Sequence, residues 1–124
     1  VEPDGMFVSQ AAMKSKRVWF EEGAESLEVI GTPDMVLEVV SSHTVKKDTV
    51  VLRKLYAEAG IAEYWLVNPL KGAVTFDVLR LTASGYVATP KNSGWVKSRV
   101  FGKSFRLAVR KAGDKLPDVR LLVR

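Results

Sequence analysis

Residues 32–43, TPDMVLEVVSSH, decide the fold class. Pro33 and Asp34 are typical of a turn, because proline fixes φ and aspartate hydrogen-bonds its own backbone. The six residues that follow are apolar except for Glu38. A nearly continuous apolar run is typical of a strand that is buried on both faces, as in the middle of an α/β sheet. This stretch therefore predicts a central strand with one carboxylate inside it.

The chain that follows this strand predicts a helix and then a second strand. Residues 44–60, TVKKDTVVLRKLYAEAG, place apolar side chains at helical spacing over about four turns. Gly60 is a favourable helix stop. Residues 61–69, IAEYWLVNP, predict a strand that ends at Asn-Pro. From Gly72 onward, apolar and polar residues broadly alternate between turn signals, which predicts an antiparallel hairpin or meander.

The chain that precedes the central strand is less regular. Residues 5–10, GMFVSQ, predict a short strand after a first Pro-Asp turn, and residues 27–30, LEVI, are a further candidate strand. Residues 10–26 are ambiguous between a loop and a short helix. The predicted class is mixed α/β, with a central helix after the Glu38 strand.

Length and composition restrict the function classes. A chain of 124 residues, 47% hydrophobic and 27% charged, is an ordinary globular domain, and we expect one domain over residues 1–124. The absence of cysteine excludes disulfides, thiolate nucleophiles and Cys-based zinc sites, and it fits a cytosolic protein. His43 is the only histidine, which excludes zinc clusters with two imidazoles, and we predict a loop position for it. No apolar run approaches the roughly 20 residues of a membrane span.

The formal charge of +5 is unevenly distributed. Residues 1–90 hold nine Lys and Arg against twelve Asp and Glu, a net charge of −3. Residues 91–124 hold ten Lys and Arg against two Asp, a net charge of +8. A basic C-terminal third can attract phosphate backbones, although for the charge alone a solvated strand face is the favoured explanation.

The carboxylate of Glu38 raises the question of a partner. A buried carboxylate is costly unless it is paired, protonated or bound to metal. Asp34 lies four residues away, roughly 13 Å along a strand, which is too far to share an ion. If the strands that begin near Asp4 and Pro33 run antiparallel, Asp4 lies near Glu38 and Asp34 lies at the opposite end. Two carboxylates at one place suit Mg²⁺, which takes one or two of them and keeps several waters.

A purely structural interpretation stays open at this point. In it, Asp4 is a turn residue and Glu38 faces solvent, because the period of two in a strand allows either direction.

Four stretches in order resemble a known family: EPDGMFV at 2–8, TPDMVLEVVSSHT at 32–44, KKDTVVLRKLYAEAGIAEYWLVNP at 46–69 and SRVFGKSFRL at 98–107. Together they resemble the Uma family of putative restriction endonucleases, a branch of the PD-(D/E)XK nuclease superfamily. The resemblance implies a restriction-endonuclease-like α/β core with a mixed sheet. Members normally carry a further segment ahead of the first Pro-Asp, so we expect a single domain that lacks that segment.

The resemblance also implies a site and a reaction. Asp4 corresponds to the aspartate of the motif and Glu38 to its acidic second position, and the main-chain carbonyl of Val39 is a further expected metal ligand. The implied cofactor is Mg²⁺ or Mn²⁺, and the implied reaction is hydrolysis of DNA phosphodiester bonds. Nucleases that cut both strands are commonly dimeric, so a homodimer is compatible with the resemblance.

The chain departs from the family pattern at the lysine. The superfamily lysine would stand at Val40, and the lysine that members often place on the following helix would stand at Leu52. Lys54 is the remaining candidate, although it lies roughly 200° around the helix from Leu52. Asn68 stands where the family usually has aspartate. A catalytically degenerate nuclease-fold domain, acting in nucleic-acid binding or protein interaction, is therefore the alternative prediction.

Aromatic and basic residues complete the sequence-based expectations. Packing between helix and sheet is expected for the aromatic residues, without base stacking: Trp19, Phe20, Tyr56, Tyr64, Trp65 and Trp95. Lys46, Lys47 and the C-terminal cations are candidates for holding a DNA backbone.

Overall fold

The computed structural model describes residues 3–23, 27–41, 50–71, 73–110 and 118–124. Its centre is a mixed five-stranded sheet in the order β1-β4-β5-β6-β7, in which β4 and β5 run parallel and the other neighbours run antiparallel. These strands are β1 (Gly5–Phe7), β4 (Met35–Val39), β5 (Glu63–Lys71), β6 (Ala73–Thr82) and β7 (Gly85–Ala88). The predicted mixed α/β class is confirmed.

Two smaller antiparallel sheets accompany the central sheet. One pairs β2 (Val18–Glu22) with β3 (Leu27–Gly31), and the other has the order β11-β10-β9-β8. The strands of the second sheet are β8 (Lys91–Asn92), β9 (Trp95–Ser98), β10 (Lys103–Arg110) and β11 (Asp118–Val123). We call this four-stranded unit the C-terminal sheet.

Two helices lie within the described residues. Helix α1 (Gln10–Lys14) begins at Ser9, whose side chain accepts a hydrogen bond from the backbone N–H of Ala12. Such an N-cap satisfies a donor that the first helical turn leaves without a partner. Helix α2 (Leu52–Glu58) connects the parallel strands β4 and β5, as parallel pairing requires a crossover. The N-terminal part of the longer helix predicted over residues 44–60 lies outside the described residues.

The two faces of the central sheet are covered by different elements. Helix α2 covers one face, and its Leu52 and Tyr56 are buried there with Val36 and Tyr64. The C-terminal sheet covers the other face with a second cluster, whose buried members are Met35, Trp65, Phe76, Val78, Val96 and Phe105. Because both faces are covered, β4 is buried on both sides, as the apolar run predicts.

Two strands were not predicted. Strand β2 lies within residues 10–26, the stretch that the sequence left ambiguous between loop and helix, and β11 lies beyond the predicted meander. In β2 only Val18 is buried, so the alternation that marks a half-buried strand is missing. All six residues of β11 are exposed. Both strands are specified by their antiparallel partners, β3 and β10, more than by their own pattern.

Gly31 fixes the close approach of β3 to β2. Its φ is +107°, a backbone conformation that favours glycine. A Cβ at this position would lie 2.0 Å from the carbonyl oxygen of Arg17. Glycine is therefore required where β3 ends.

Candidate functional site

The antiparallel pairing of β1 with β4 determines which carboxylates meet. Gly5 lies opposite Leu37, and Phe7 lies opposite Met35. One further step of this register places Asp4 opposite Glu38. At the other end of the strand pair, the backbone N–H of Asp34 donates to the carbonyl oxygen of Phe7. The predicted antiparallel pairing is confirmed, with Asp34 at the far end of the strand pair from Asp4.

The Asp4 carboxylate lies against the backbone of β4. Its Oδ2 accepts a hydrogen bond of 2.7 Å from the N–H of Val39. This contact extends the β1–β4 ladder by a side chain where the backbone pairing ends. Asp4 itself is exposed, so its carboxylate is held by the strand and remains accessible to solvent.

Glu38, unlike Asp4, is buried. Its side chain is buried, with 5% of the residue exposed, and it lies on the face of the sheet that α2 covers. The hydroxyl group of Tyr56, on α2, donates a hydrogen bond of 2.6 Å to Oε1 of Glu38. The alternative in which Glu38 faces solvent is therefore wrong, because the crossover helix lies over that face.

Asp34 is a structural residue at the other end of β4. It accepts a hydrogen bond of 2.7 Å from the N–H of Ser9, the cap of α1, and forms an ion pair with Arg17. Partial burial raises the pKa of Asp34, but the hydrogen bonds from Ser9 and the charge of Arg17 outweigh it, so the pKa lies below 3.8. Asp34 joins α1 and the start of β2 to the central sheet.

One family model matches almost the whole chain. The model of the Uma2 family, described as "Putative restriction endonuclease", matches residues 1–119 of the 124-residue chain. The chain belongs to the Uma2 family. No curated protein matches it. The match spans the paired Asp4 and Glu38 and both faces of the central sheet.

The Uma2 chain does not bring its candidate lysine to the two carboxylates. Lys54 is exposed and lines a shallow depression beside Ser84 and Gly85, near β7. Tyr56, two residues further along α2, points toward Glu38, and residues two apart on a helix point about 200° from each other. Because β7 is the edge strand farthest from β1, Lys54 lies across the sheet from Asp4.

The other two positions expected to carry a lysine hold buried apolar side chains. Val40 is 1% exposed and Leu52 is 2% exposed, and both lie on the α2 side of the sheet. A lysine at either position would begin in the core and would need a path to the surface. His43, Lys46 and Lys47 lie outside the described residues.

The described residues hold no group of three or more His, Cys, Asp or Glu side chains that could share a metal ion. The β1–β4 register brings Asp4 to the Glu38 end of β4, where the N–H of Val39 donates to the Asp4 carboxylate. Oxygen ligands of this kind suit Mg²⁺, which is bound through one or two carboxylates and retains several waters. The donor set therefore fits Mg²⁺ or Mn²⁺ better than zinc, which prefers nitrogen and sulfur ligands.

A second buried carboxylate, Glu63, was not singled out from the sequence. It is 2% exposed at the start of β5, on the face that the C-terminal sheet covers. Oε1 accepts from Trp65 Nε1 and Ser98 Oγ, at 2.7 and 2.6 Å, and Oε2 accepts from the N–H groups of Arg99 and Val100, at 2.9 and 3.1 Å. The signal was the spacing of Glu63 and Trp65, which share a face, since a buried indole N–H needs an acceptor.

The aromatic expectations are partly confirmed. Tyr56, Tyr64 and Trp65 are buried between the sheet and its covering layers. The expectation of packing is wrong for Trp19 and Phe20, which are 44% and 47% exposed on β2.

Some of the C-terminal cations lie on the outer face of the C-terminal sheet. Lys103 instead lines the groove between the two sheets, and Lys91 forms an ion pair with Asp77. Phe105 and Val96 point into the core, so Arg106 and Lys97, their neighbours in sequence, point outward. Arg124 lies over the ring of Trp95, with 4.2 Å from its guanidinium carbon to the ring centroid. This basic face lies on the opposite side of the central sheet from Glu38.

None of the helices in the described ranges is long and apolar enough to cross a membrane.

Proposed function

We propose that this Uma2 chain is a metal-dependent endonuclease that hydrolyses DNA phosphodiester bonds, with Asp4 and Glu38 as metal ligands and catalytic residues. The observation that carries the proposal is the β1–β4 register, which extends to Asp4 opposite Glu38. Like charges directly opposite one another on paired strands are destabilising. A divalent cation bound between the two carboxylates would remove this repulsion.

Hydrogen bonds hold both of the proposed carboxylate ligands. The N–H of Val39 holds the Asp4 carboxylate against β4, and the Tyr56 hydroxyl fixes the orientation of Glu38. The main-chain carbonyl of Val39 is the third proposed ligand. When bound, Mg²⁺ or Mn²⁺ would supply an activated water and stabilise the charge that builds on the scissile phosphate.

DNA is the proposed substrate, and the charge distribution supports it. The outer face of the C-terminal sheet presents exposed cations that suit a phosphate backbone. Because this face and Glu38 lie on opposite sides of the central sheet, these cations would act on DNA outside the cleavage site. Their contribution would be electrostatic attraction, which falls steeply with salt.

The alternative is a catalytically degenerate nuclease-fold domain that binds nucleic acid or protein. Buried Val40 and Leu52 favour it, together with the position of Lys54 across the sheet. The two proposals differ in whether metal-dependent cleavage occurs, and they agree on the fold.

Cleavage of supercoiled plasmid with Mg²⁺ or Mn²⁺ separates the two proposals. We expect nicking that requires the metal, and we expect Asp4→Asn and Glu38→Gln each to abolish it. Glu22→Gln and Glu58→Gln alter exposed carboxylates elsewhere and serve as matched controls, which should cleave as the unmodified chain does. DNA binding without cleavage under any metal condition would reject the endonuclease and favour the degenerate domain.

Metal binding can be measured without activity. A ligand at ten times its Kd stabilises the folded state by about 1.4 kcal/mol, which raises the melting temperature of a domain of this size by roughly 5 °C. We expect this gain for the unmodified chain with Mn²⁺ and its loss in Asp4→Asn. An equal gain in both proteins would contradict the shared site. A Lys54→Ala variant that cleaves normally would remove Lys54 from the catalytic residues.

A further inference from the structure

Strand β11 has the properties of an unfinished sheet edge. It is the terminal strand of the C-terminal sheet, and β10 is its neighbour on one side. Four of its side chains are exposed and apolar: Val119 (44%), Leu121 (46%), Leu122 (38%) and Val123 (52%). Natural edge strands usually carry charges, proline or bulges that prevent pairing with another chain. An edge with this many exposed apolar residues is instead suited to pairing.

The backbone hydrogen bonds show which groups of β11 face outward. Arg124 and Ser104 exchange both backbone hydrogen bonds, at 2.9 and 3.0 Å, so Arg124 points its backbone groups toward β10. In an antiparallel ladder the direction alternates from residue to residue. The N–H and C=O groups of Val119, Leu121 and Val123 therefore point away from β10. No other strand of the described residues pairs with that edge.

The side chains of the same three residues line an apolar groove. Val119, Leu121 and Val123 form one wall of a groove of about 810 Å³, and β1 and β4 contribute to the opposite wall through Phe7 and Leu37. The groove runs along the open side of the space between the central sheet and the C-terminal sheet. A partner strand beside β11 would extend that apolar surface.

We infer that the partner is a second copy of this chain, and that the two β11 strands pair antiparallel about a two-fold axis at Leu121. The two C-terminal sheets, each of four strands, would then form one continuous sheet. A symmetric dimer uses the same surface on both copies. In a continuous sheet the apolar faces must coincide, so the axis passes through a residue of β11.

Charge selects the residue on the axis. With the axis at Arg120, two arginines lie directly opposite each other. With the axis at Leu122, Arg120 lies opposite Arg124 of the second copy. Both registers place like charges together, which destabilises paired strands. An axis at Val119 leaves only residues 118–120 of β11 in the pair.

The register centred on Leu121 has the opposite property. It places Asp118 opposite Arg124 of the second copy, and the symmetry repeats this pair of opposite charges. Val119 lies opposite Val123, so the groove faces of the two strands present apolar side chains to each other. On the outer face, Arg120 lies opposite Leu122, where its aliphatic stem can cover that exposed side chain.

Analytical ultracentrifugation of the chain tests the dimer. Seven residues a side, 118–124, form a small interface, so we expect monomer–dimer exchange over about 1–200 µM protein, the range of a weak complex. Leu121→Lys should remove the dimer, because two like charges would meet on the axis. Val109→Lys is the matched control, since Val109 is 39% exposed on β10, one strand inward, and should leave the dimer intact. A monomer throughout that range would overturn the inference.

A cysteine on the axis tests the register, because the chain contains no cysteine. In the proposed register, Leu121→Cys brings two thiols onto directly opposite positions, whose Cα separation of about 5.5 Å is within disulfide range. Val119→Cys places its two thiols four residues apart along the strands, roughly 13 Å, beyond that range. We expect rapid crosslinking for Leu121→Cys alone. Equal crosslinking of both variants would overturn the register.

A charge exchange gives an independent readout. Asp118→Arg and Arg124→Asp should each weaken dimerisation about tenfold, since each converts two attractive pairs into repulsive ones. The double variant restores opposite charges across the axis and should recover most of the affinity. A double variant as weak as either single variant would contradict the pairing of these two residues.

Discussion

Glu38 and Glu63 are both buried carboxylates on neighbouring parallel strands, yet they lie in different chemical environments. Glu63 accepts hydrogen bonds from four donors, two of them backbone N–H groups, and so joins β5 to the turn after β9. Glu38 accepts from the Tyr56 hydroxyl and lies at the strand position that the register extends opposite Asp4.

The donors around each residue distinguish a structural carboxylate from a candidate ligand. A carboxylate surrounded by donors is stabilised by the fold itself. Glu38, which the register extends opposite a second carboxylate, is instead the proposed ligand of a cation. Burial alone does not separate the two residues, since Glu38 and Glu63 are 5% and 2% exposed.

The largest expected effect is on Glu63. Glu63→Ala would leave the Trp65 and Ser98 donors and two backbone N–H groups without their acceptor, and we expect a loss of about 3 kcal/mol in the free energy of unfolding. Urea denaturation measures it, with Glu58→Ala as an exposed control that should change stability by less than about 0.5 kcal/mol. A loss below about 1 kcal/mol would contradict the structural role of Glu63.

Two buried tyrosines on the α2 face of the sheet have different hydrogen-bond acceptors. Tyr56 and Tyr86 both stack edge-on against Tyr64, and each donates its hydroxyl proton, Tyr56 to Glu38 and Tyr86 to the carbonyl oxygen of Ile61. We expect Tyr56→Phe and Tyr86→Phe each to cost about 1–2 kcal/mol in thermal or urea unfolding.

The two variants should differ in their response to metal. Tyr56→Phe should also weaken the stabilisation by Mn²⁺, because Tyr56 orients a proposed ligand, and Tyr86→Phe should leave it unchanged. Equal metal responses would show that Tyr56 acts on stability alone. Burial raises the pKa of Tyr86, so its hydroxyl stays protonated as a donor across the working range.

Asp34 gives a pH-dependent test at the far end of β4. Its folded-state pKa is lowered below 3.8, so its contribution is present above that value and is lost as the pH falls through the folded pKa. We expect the stability advantage of the unmodified chain over Asp34→Asn to be constant near neutral pH and to shrink below about pH 4. Urea denaturation at a series of pH values measures it. A difference that stays constant down to pH 2 would contradict the assignment.

The smallest expected effect on stability is at Asp4. In Asp4→Asn the amide oxygen can still accept from the Val39 N–H, so we expect a change below about 0.5 kcal/mol. The same substitution should remove the stabilisation by Mn²⁺. Calorimetric melting with and without metal measures both quantities. A large loss of stability without metal would make Asp4 a structural residue like Glu63.

Much of the site's layout could be predicted from the sequence. The buried run from Met35 to Val40 predicted β4, and the two Pro-Asp turns predicted which aspartate an antiparallel pairing would carry to Glu38. Local patterns specify this much because strand register follows from which face is buried. The partners of Glu63 could not be predicted, since Ser98 and the N–H groups of Arg99 and Val100 lie at least 35 residues away in sequence.

Local sequence patterns specify the mixed α/β class, the central strand and the end of that strand to which antiparallel pairing brings Asp4. These features depend on residues close together in the chain, where periodicity and turn chemistry act. Packing between distant segments is needed to place Glu38 against α2 and Tyr56, to place Lys54 near β7 at the opposite edge of the sheet from β1, and to leave β11 as an exposed apolar edge. These features depend on which layer covers which face, and that is determined by packing between distant segments.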